Sequence, residues 1–146
     1  TFEANNILLK DIKRIFYCAG PGSYTGMRIS EGIVNIFSWQ DFDYNSFYHF
    51  EVPQICGTEQ GLWYSKAFKG EFFVAKWNEG KFEKSLVKES ELEKELGGHD
   101  VFSFPETNEL VRSHSKRIFS YLVENDSKQE LYYYRPLEDE FTQAKK

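Results

Sequence analysis

CAGPGSYTGMRISEGIVNIF, residues Cys18 to Phe37, decides how this chain is read. Gly20, Pro21 and Gly22 punctuate the end of the apolar run Ile12 to Ala19, and a helical pattern then runs from Tyr24 or Thr25 to about Ser38. Strand, tight turn and helix in this order are an α/β signature. On a helical wheel Gly26, Ile29, Gly32, Ile33 and Ile36 fall on one side and Met27 and Val34 on another, with Phe37 between them. Arg28, Glu31 and Asn35 share the polar remainder. The apolar arc is wider than a single sheet contact requires, so one stripe covers the helix's own sheet and the second needs another partner.

Working outward, Ala4, Ile7 and Leu8 stand at i, i+3 and i+4, as in the last turns of a helix. Beyond Ser38, Phe42 to Asn45 is expected to be a short strand, Ser46 an N-cap and Pro53 the end of a short helix. Gly57 to Gly61 has linker composition and divides the chain into a first lobe, 1–58, and a second, 59–146. Leu62 to Phe68, Glu71 to Trp77 and Lys81 to Leu86 are β-rich runs joined by Lys69-Gly70 and Asn78-Glu79-Gly80, a meander of two hairpins. An acidic helix over Glu89 to Leu96 stops at Gly97-Gly98. A strand over Asp100 to Phe104 follows. Thr107 to Glu124 is expected to be helical in two phases, with Val111, Ile118, Phe119, Leu122 and Val123 on its apolar side. The pattern closes with an aromatic strand, Glu130 to Arg135, halted by Pro136.

Composition narrows the function. Aromatic residues make up 18% of the 146 residues, which argues for a folded globule with Phe and Tyr supplying much of the core. A net charge of −5 disfavours direct nucleic-acid binding, so any nucleic acid is expected to be held by a partner. No apolar run approaches the ~20 residues that span a bilayer, and cytoplasm is the expected compartment. Cys18 and Cys56 have neither metal-ligand nor disulfide spacing and are expected to be unpaired thiols. The chain opens without an initiator Met, inside a helical pattern, as a shortened version of something longer would.

Candidate chemistry is thin. Gly20, Gly22 and Gly26 form G-x-G-x-x-x-G, one residue away from the dinucleotide fingerprint, and no Lys-Ser or Lys-Thr follows as in a P-loop. An anion at this helix start is physically possible, but a structural turn is the better expectation. His49, His99 and His114 stand alone, without an H-x-x-x-H pair, and are expected at the surface or at caps. Ser113 to Lys116 matches S-x-x-K without its companion elements, and Ser23 and Thr25 are hydroxyls where N-capping is the usual job. Glu91 and Glu95 describe a solvated helix face, and Tyr132 to Tyr134 a strand that packs alternate rings inward.

GPGSYTGMRIS, Gly20 to Ser30, closely resembles the GPGSFTGLRIG signature of the TsaB family; Gly20, Pro21, Gly22, Ser23, Thr25, Gly26 and Arg28 carry the likeness. SKAFKGEFFVAKW, Ser65 to Trp77, is similar to that family's DARMGEVYWA-type hairpin, and ELYYYRP, Glu130 to Pro136, to its terminal PVYLR strand. The resemblance implies an actin-like, ribonuclease-H-like (ASKHA) α/β fold of two small lobes. It also implies a non-catalytic scaffold and activator in the formation of tRNA threonylcarbamoyladenosine, with no cofactor or metal of its own. Its partners would be a TsaD-like paralogue and a TsaE-like ATPase, with tRNA touched only indirectly and a homodimer formed through the same helices. The partner surface implied is the first two helices, here Ala4, Ile7 and Leu8 with Met27, Ser30, Val34 and Phe37, leaving Ile29, Ile33 and Ile36 for the sheet. The family opens with a strand set carrying an I-D-T-type motif that nothing before Thr1 supplies, so the first lobe is expected to be truncated at its N-terminus. Either the native protein carries those residues, or this is a shortened family member whose sheet is completed differently, as by a second chain. The competing expectations are a metal-dependent glycoprotease-like enzyme and a stand-alone nucleotide-binding domain.

Overall fold

A computed structural model describes residues 8–135. After a 3-10 turn, Leu9–Asp11, the apolar run becomes β1, Arg14–Gly20, and the glycine turn leads into α1, Tyr24–Ser38. The chain returns as β2, Asp43–Tyr48, parallel to β1 with Tyr17 opposite Ser46 and Cys18 opposite Phe47. This β-α-β unit is the whole of the first sheet among the described residues. A 3-10 turn, His49–Glu51, and a short helix α2, Val52–Ile55, connect it to the second sheet.

The second sheet has four strands in the order β5-β4-β3-β6. β3 (Gln60–Lys66), β4 (Glu71–Asn78) and β5 (Lys81–Lys88) form the expected antiparallel meander, and β6 (Val101–Ser103) adds in parallel to β3. Period-two alternation puts Trp63, Phe73, Ala75 and Trp77 on one face, where they pack with Phe50 into an aromatic core joined by Phe82, Phe102 and Tyr132. α3 (Glu89–Leu96) contacts β4 and β5, and its Glu95 pairs with Lys76 at 2.7 Å.

α4 (Phe104–Ser113) and α5 (Ser115–Glu124) then carry the chain back to the first sheet. Ile118 and Leu122 pack against Phe47 and Val52, and Phe119 stacks on Phe16 with ring centroids 4.2 Å apart. The first sheet thus has α1 against one face and α5 against the other, and its core draws residues from both sides of position 58. The division into 1–58 and 59–146 does not follow this packing.

Several local expectations are corrected. Ser46 is an interior residue of β2, not an N-cap: it is fully buried, its Oγ accepts from Gln129 N at 2.5 Å and its N–H donates to Ser127 O at 2.9 Å. Pro53 opens α2 instead of ending a helix, because its missing N–H costs nothing in a first turn. The segment 130–135 is not a strand; it makes one isolated bridge, Gly22 with Tyr133. Its backbone is held by the turn after β1 and its rings by the core. His49 is buried at the junction of the two sheets, where its Nδ1 lies 3.3 Å from Thr107 Oγ1. Pro136 and the turn expected around Ala4 and Ile7 lie outside the described residues. No helix among the described residues is long and apolar enough to cross a membrane.

Candidate functional site

The glycine-rich turn is built for packing. Gly20 has φ +128°, and a Cβ there would stand 2.3 Å from the carbonyl oxygen of Tyr132. That oxygen accepts from Gly22 N at 3.3 Å, while Tyr132 N donates to Ala19 O at 2.8 Å. Met27 folds back over Gly22, where a side chain would meet its Cε at 2.8 Å. Ser23 is the N-cap of α1, and its Oγ accepts from Gly26 N at 3.3 Å. The amides of Gly22 and Gly26, which an anion would need, are therefore engaged by the protein itself. Thr25 is exposed beside them. Arg28 donates to Glu31 at 2.6 Å and lies 5.6 Å above the Tyr24 ring; the carboxylate, then the Tyr24 phenol, push its pKa further up.

An open cleft of about 410 Å³ separates this polar flank of α1 from residues 129–133. Tyr17, Arg28, Glu31, Tyr44 and Tyr133 line it. The Tyr133 phenol oxygen is buried with no hydrogen-bond partner among the described residues.

The two stripes of α1 exchange the roles expected from sequence. Val34 is 5% exposed and Met27, Ser30 and Phe37 are half-buried, so these residues face the sheet. Ser30 Oγ also donates back to Gly26 O at 3.2 Å. Ile29, Ile33 and Ile36 are 59%, 48% and 57% exposed, and Trp39 at the helix end is 80% exposed. The cause is the exit geometry of the turn: Met27 must cover Gly22, which rotates the Met27–Val34 stripe inward and the isoleucines out. Gly32 lies in open space beside them. Leu8 is exposed as well, and Ala4 and Ile7 lie outside the described residues. The wheel showed two apolar stripes; nothing in it could say which one the turn would aim at the sheet.

Groups that catalysis would need are placed otherwise. Burial pushes the Cys18 thiol up to about 11, and Cys18 donates to Gly20 O at 3.3 Å. Burial also lowers His49 to about 4, so it is neutral at pH 7. Its ring packs on Phe104 with centroids 4.5 Å apart. Thr107 Oγ1 accepts from Trp63 Nε1 at 3.1 Å, lies within hydrogen-bond reach of Phe104 O at 2.9 Å and Ser103 O at 3.2 Å, and stands 3.3 Å from His49 Nδ1. Ser113 caps its own helix by donating to Glu109 O at 2.7 Å. No group of three His, Cys, Asp or Glu side chains suited to a metal occurs among the described residues.

No protein-family model matches the chain, and no curated protein does. Among solved structures it is similar to YeaZ from Pseudomonas aeruginosa, with a TM-score of 0.57 and 13% identity over 88% of this chain and 75% of that one. It is also similar to an uncharacterized protein with similarity to peptidase YeaZ from the same organism, with a TM-score of 0.54 and 13% identity over 89% and 78%. At this identity the likeness establishes the fold: mixed α/β, of the ribonuclease-H-like type that these neighbours share.

Proposed function

We propose that this chain is a TsaB-type scaffold subunit of the machinery that forms threonylcarbamoyladenosine in tRNA, without an active site of its own. YeaZ is a TsaB protein, and the fold likeness to it coincides with the GPGSYTGMRIS signature, which was identified independently from sequence. The observation that carries the role is the exposed flank of α1. The three isoleucines, each about half exposed, forgo roughly half of the ~1.5–3 kcal/mol that full burial of such a side chain contributes, and with Trp39 they form a contiguous apolar stripe of the kind that marks an interaction site. The partner is a TsaD-like paralogue, which does the chemistry, and a TsaE-like ATPase joins them in the cytoplasm. The net charge of −5 fits a subunit that meets tRNA only through that partner.

An enzymatic role would need a nucleophile and base in contact. Cys18 is held protonated and His49 is turned toward Thr107, and the proposal assigns both to packing. Depletion of the protein in its native cell, followed by nucleoside analysis of total tRNA, tests the proposal. Loss of threonylcarbamoyladenosine is the expected result; an unchanged level would overturn it.

A further inference from the structure

We propose that the rings of Tyr48, Phe50 and Tyr132 form a binding site for a small quaternary ammonium cation of the choline type, which Lys84 occupies as a resident competitor. The inference stands on the junction of the two sheets and not on the function proposed above.

The three rings come from separate parts of the chain. Tyr48 ends β2, Phe50 lies in the 3-10 turn that follows, and Tyr132 belongs to the segment that returns to the glycine turn. Tyr48 and Phe50 stack with centroids 5.1 Å apart, and Tyr132 stands edge-on to both, at 5.6 and 6.1 Å. Each ring is held by contacts that need no cation. Tyr48 Oη donates to Glu130 O at 2.8 Å and Tyr132 N to Ala19 O at 2.8 Å. Phe50 is 1% exposed and packs against Trp63, Phe73 and Phe82. The cage is therefore preorganised.

Lys84 of β5 shows what the cage attracts. Its Nζ lies 4.6 Å from the Phe50 centroid, 4.8 Å from that of Tyr132 and 5.7 Å from that of Tyr48. All three distances fall within the ~6 Å over which a ring face attracts a cation. No ion pair among the described residues includes Lys84, so the rings are its contacts there. Glu51 adds negative charge beside them: burial pushes its pKa up, while the Tyr48 N–H, 3.1 Å away, and the Lys84 ammonium pull it down.

A primary ammonium suits this place less well than a quaternary one. The N–H groups it turns toward the rings meet π faces instead of oxygen acceptors, and its hydration is strong. A quaternary ammonium has no donor to satisfy and lays methyl groups on the rings, as in the aromatic cages that recognise choline. Lys84 is free to leave, because β5 is a sheet edge among the described residues and the side chain is exposed on a flexible stem. Glu51 also lines a cleft of about 340 Å³ with Gln54, Asn125 and Gln129, which gives a short polar arm room beside the cage. The carboxylate at that point repels a phosphate on the arm, so the occupant is the free cation and not a phosphorylated head group.

Nuclear magnetic resonance titration of the full chain with choline, read at the ligand's methyl signal, tests the proposal. Wild type should give a saturable upfield shift, and Lys84→Gln, which keeps a stem over Phe50 and removes the competing charge, should bind at least tenfold more tightly. Phosphocholine and the neutral tert-butyl analogue of choline should each bind at least tenfold more weakly than choline. Tyr132→Leu in the Lys84→Gln background should lose at least tenfold with an unchanged far-UV spectrum; the neutral analogue makes the same point without disturbing the fold. No saturable shift in wild type, no gain in Lys84→Gln, or choline matched by either analogue would each overturn it.

Discussion

The two sheets solve the same problem to different degrees. The second is self-sufficient: four strands bury Trp63, Leu62, Val74 and Ala75 completely, its β5 edge carries Lys81, Glu83, Lys84 and Lys88, and its other edge, β6, is only three residues long. Charged and short edges are the usual protection against unwanted pairing. Among the described residues the first sheet is two parallel strands, kept in place by helices on both faces and by the segment 127–133. Its helix α1 presents isoleucine to solvent. Among the described residues the half built on the second sheet is finished, and the half built on the first leaves the isoleucine flank of α1 exposed.

The largest effect should come from the finished half. Trp63→Ala, which opens a fully buried site and frees Thr107, should cost about 3–5 kcal/mol in urea unfolding. Phe16→Ala, in the half-buried β1, should cost roughly half as much. Equal losses would erase the distinction between the sheets.

His49 sits where the halves meet, against Phe47 on one side and Trp63 on the other. Its folded pKa, about 4, lies below the ordinary 6.5, so between these values the unfolded chain binds the extra proton. Its contribution is complete above about pH 6.5 and is lost as pH falls toward 4, a decline of roughly 3 kcal/mol. Glu51, raised by burial, acts in the opposite sense. His49→Gln should flatten the decline across this window; an unchanged slope would assign it to other groups.

The smallest effect sharpens the account of α1. Ser23→Ala removes the N-cap and should cost about 1 kcal/mol, with hydrogen exchange rising in α1 and not in β3 or β4. Exchange rising uniformly would mean that the two sheets unfold as one unit.

How much of this was legible in the sequence follows the range of the forces. α1 ends within a residue of its expected bounds because Ser23 and the glycine turn act locally. The meander and α3 were legible for the same reason: alternation, turn residues and Gly97-Gly98 are all neighbours in sequence. Ser46 and His49 were misplaced because their partners, Gln129 and Thr107, lie 83 and 58 residues away. The aromatic run at Tyr132 looked like a strand because rings suit strands, while its bonds are to a turn over a hundred residues upstream. The surface itself was half legible. Period and width showed a surplus apolar stripe on α1, and only the packing of Met27 on Gly22 decided that the surplus was isoleucine.

The most direct measurement is co-purification of the chain with a TsaD-like paralogue, comparing wild type with Ile33→Glu and Val34→Ala. The account predicts that Ile33→Glu keeps its fold and loses the complex by at least tenfold, while Val34→Ala loses stability and binds in proportion to the folded fraction. Undiminished complex formation by folded Ile33→Glu would contradict it.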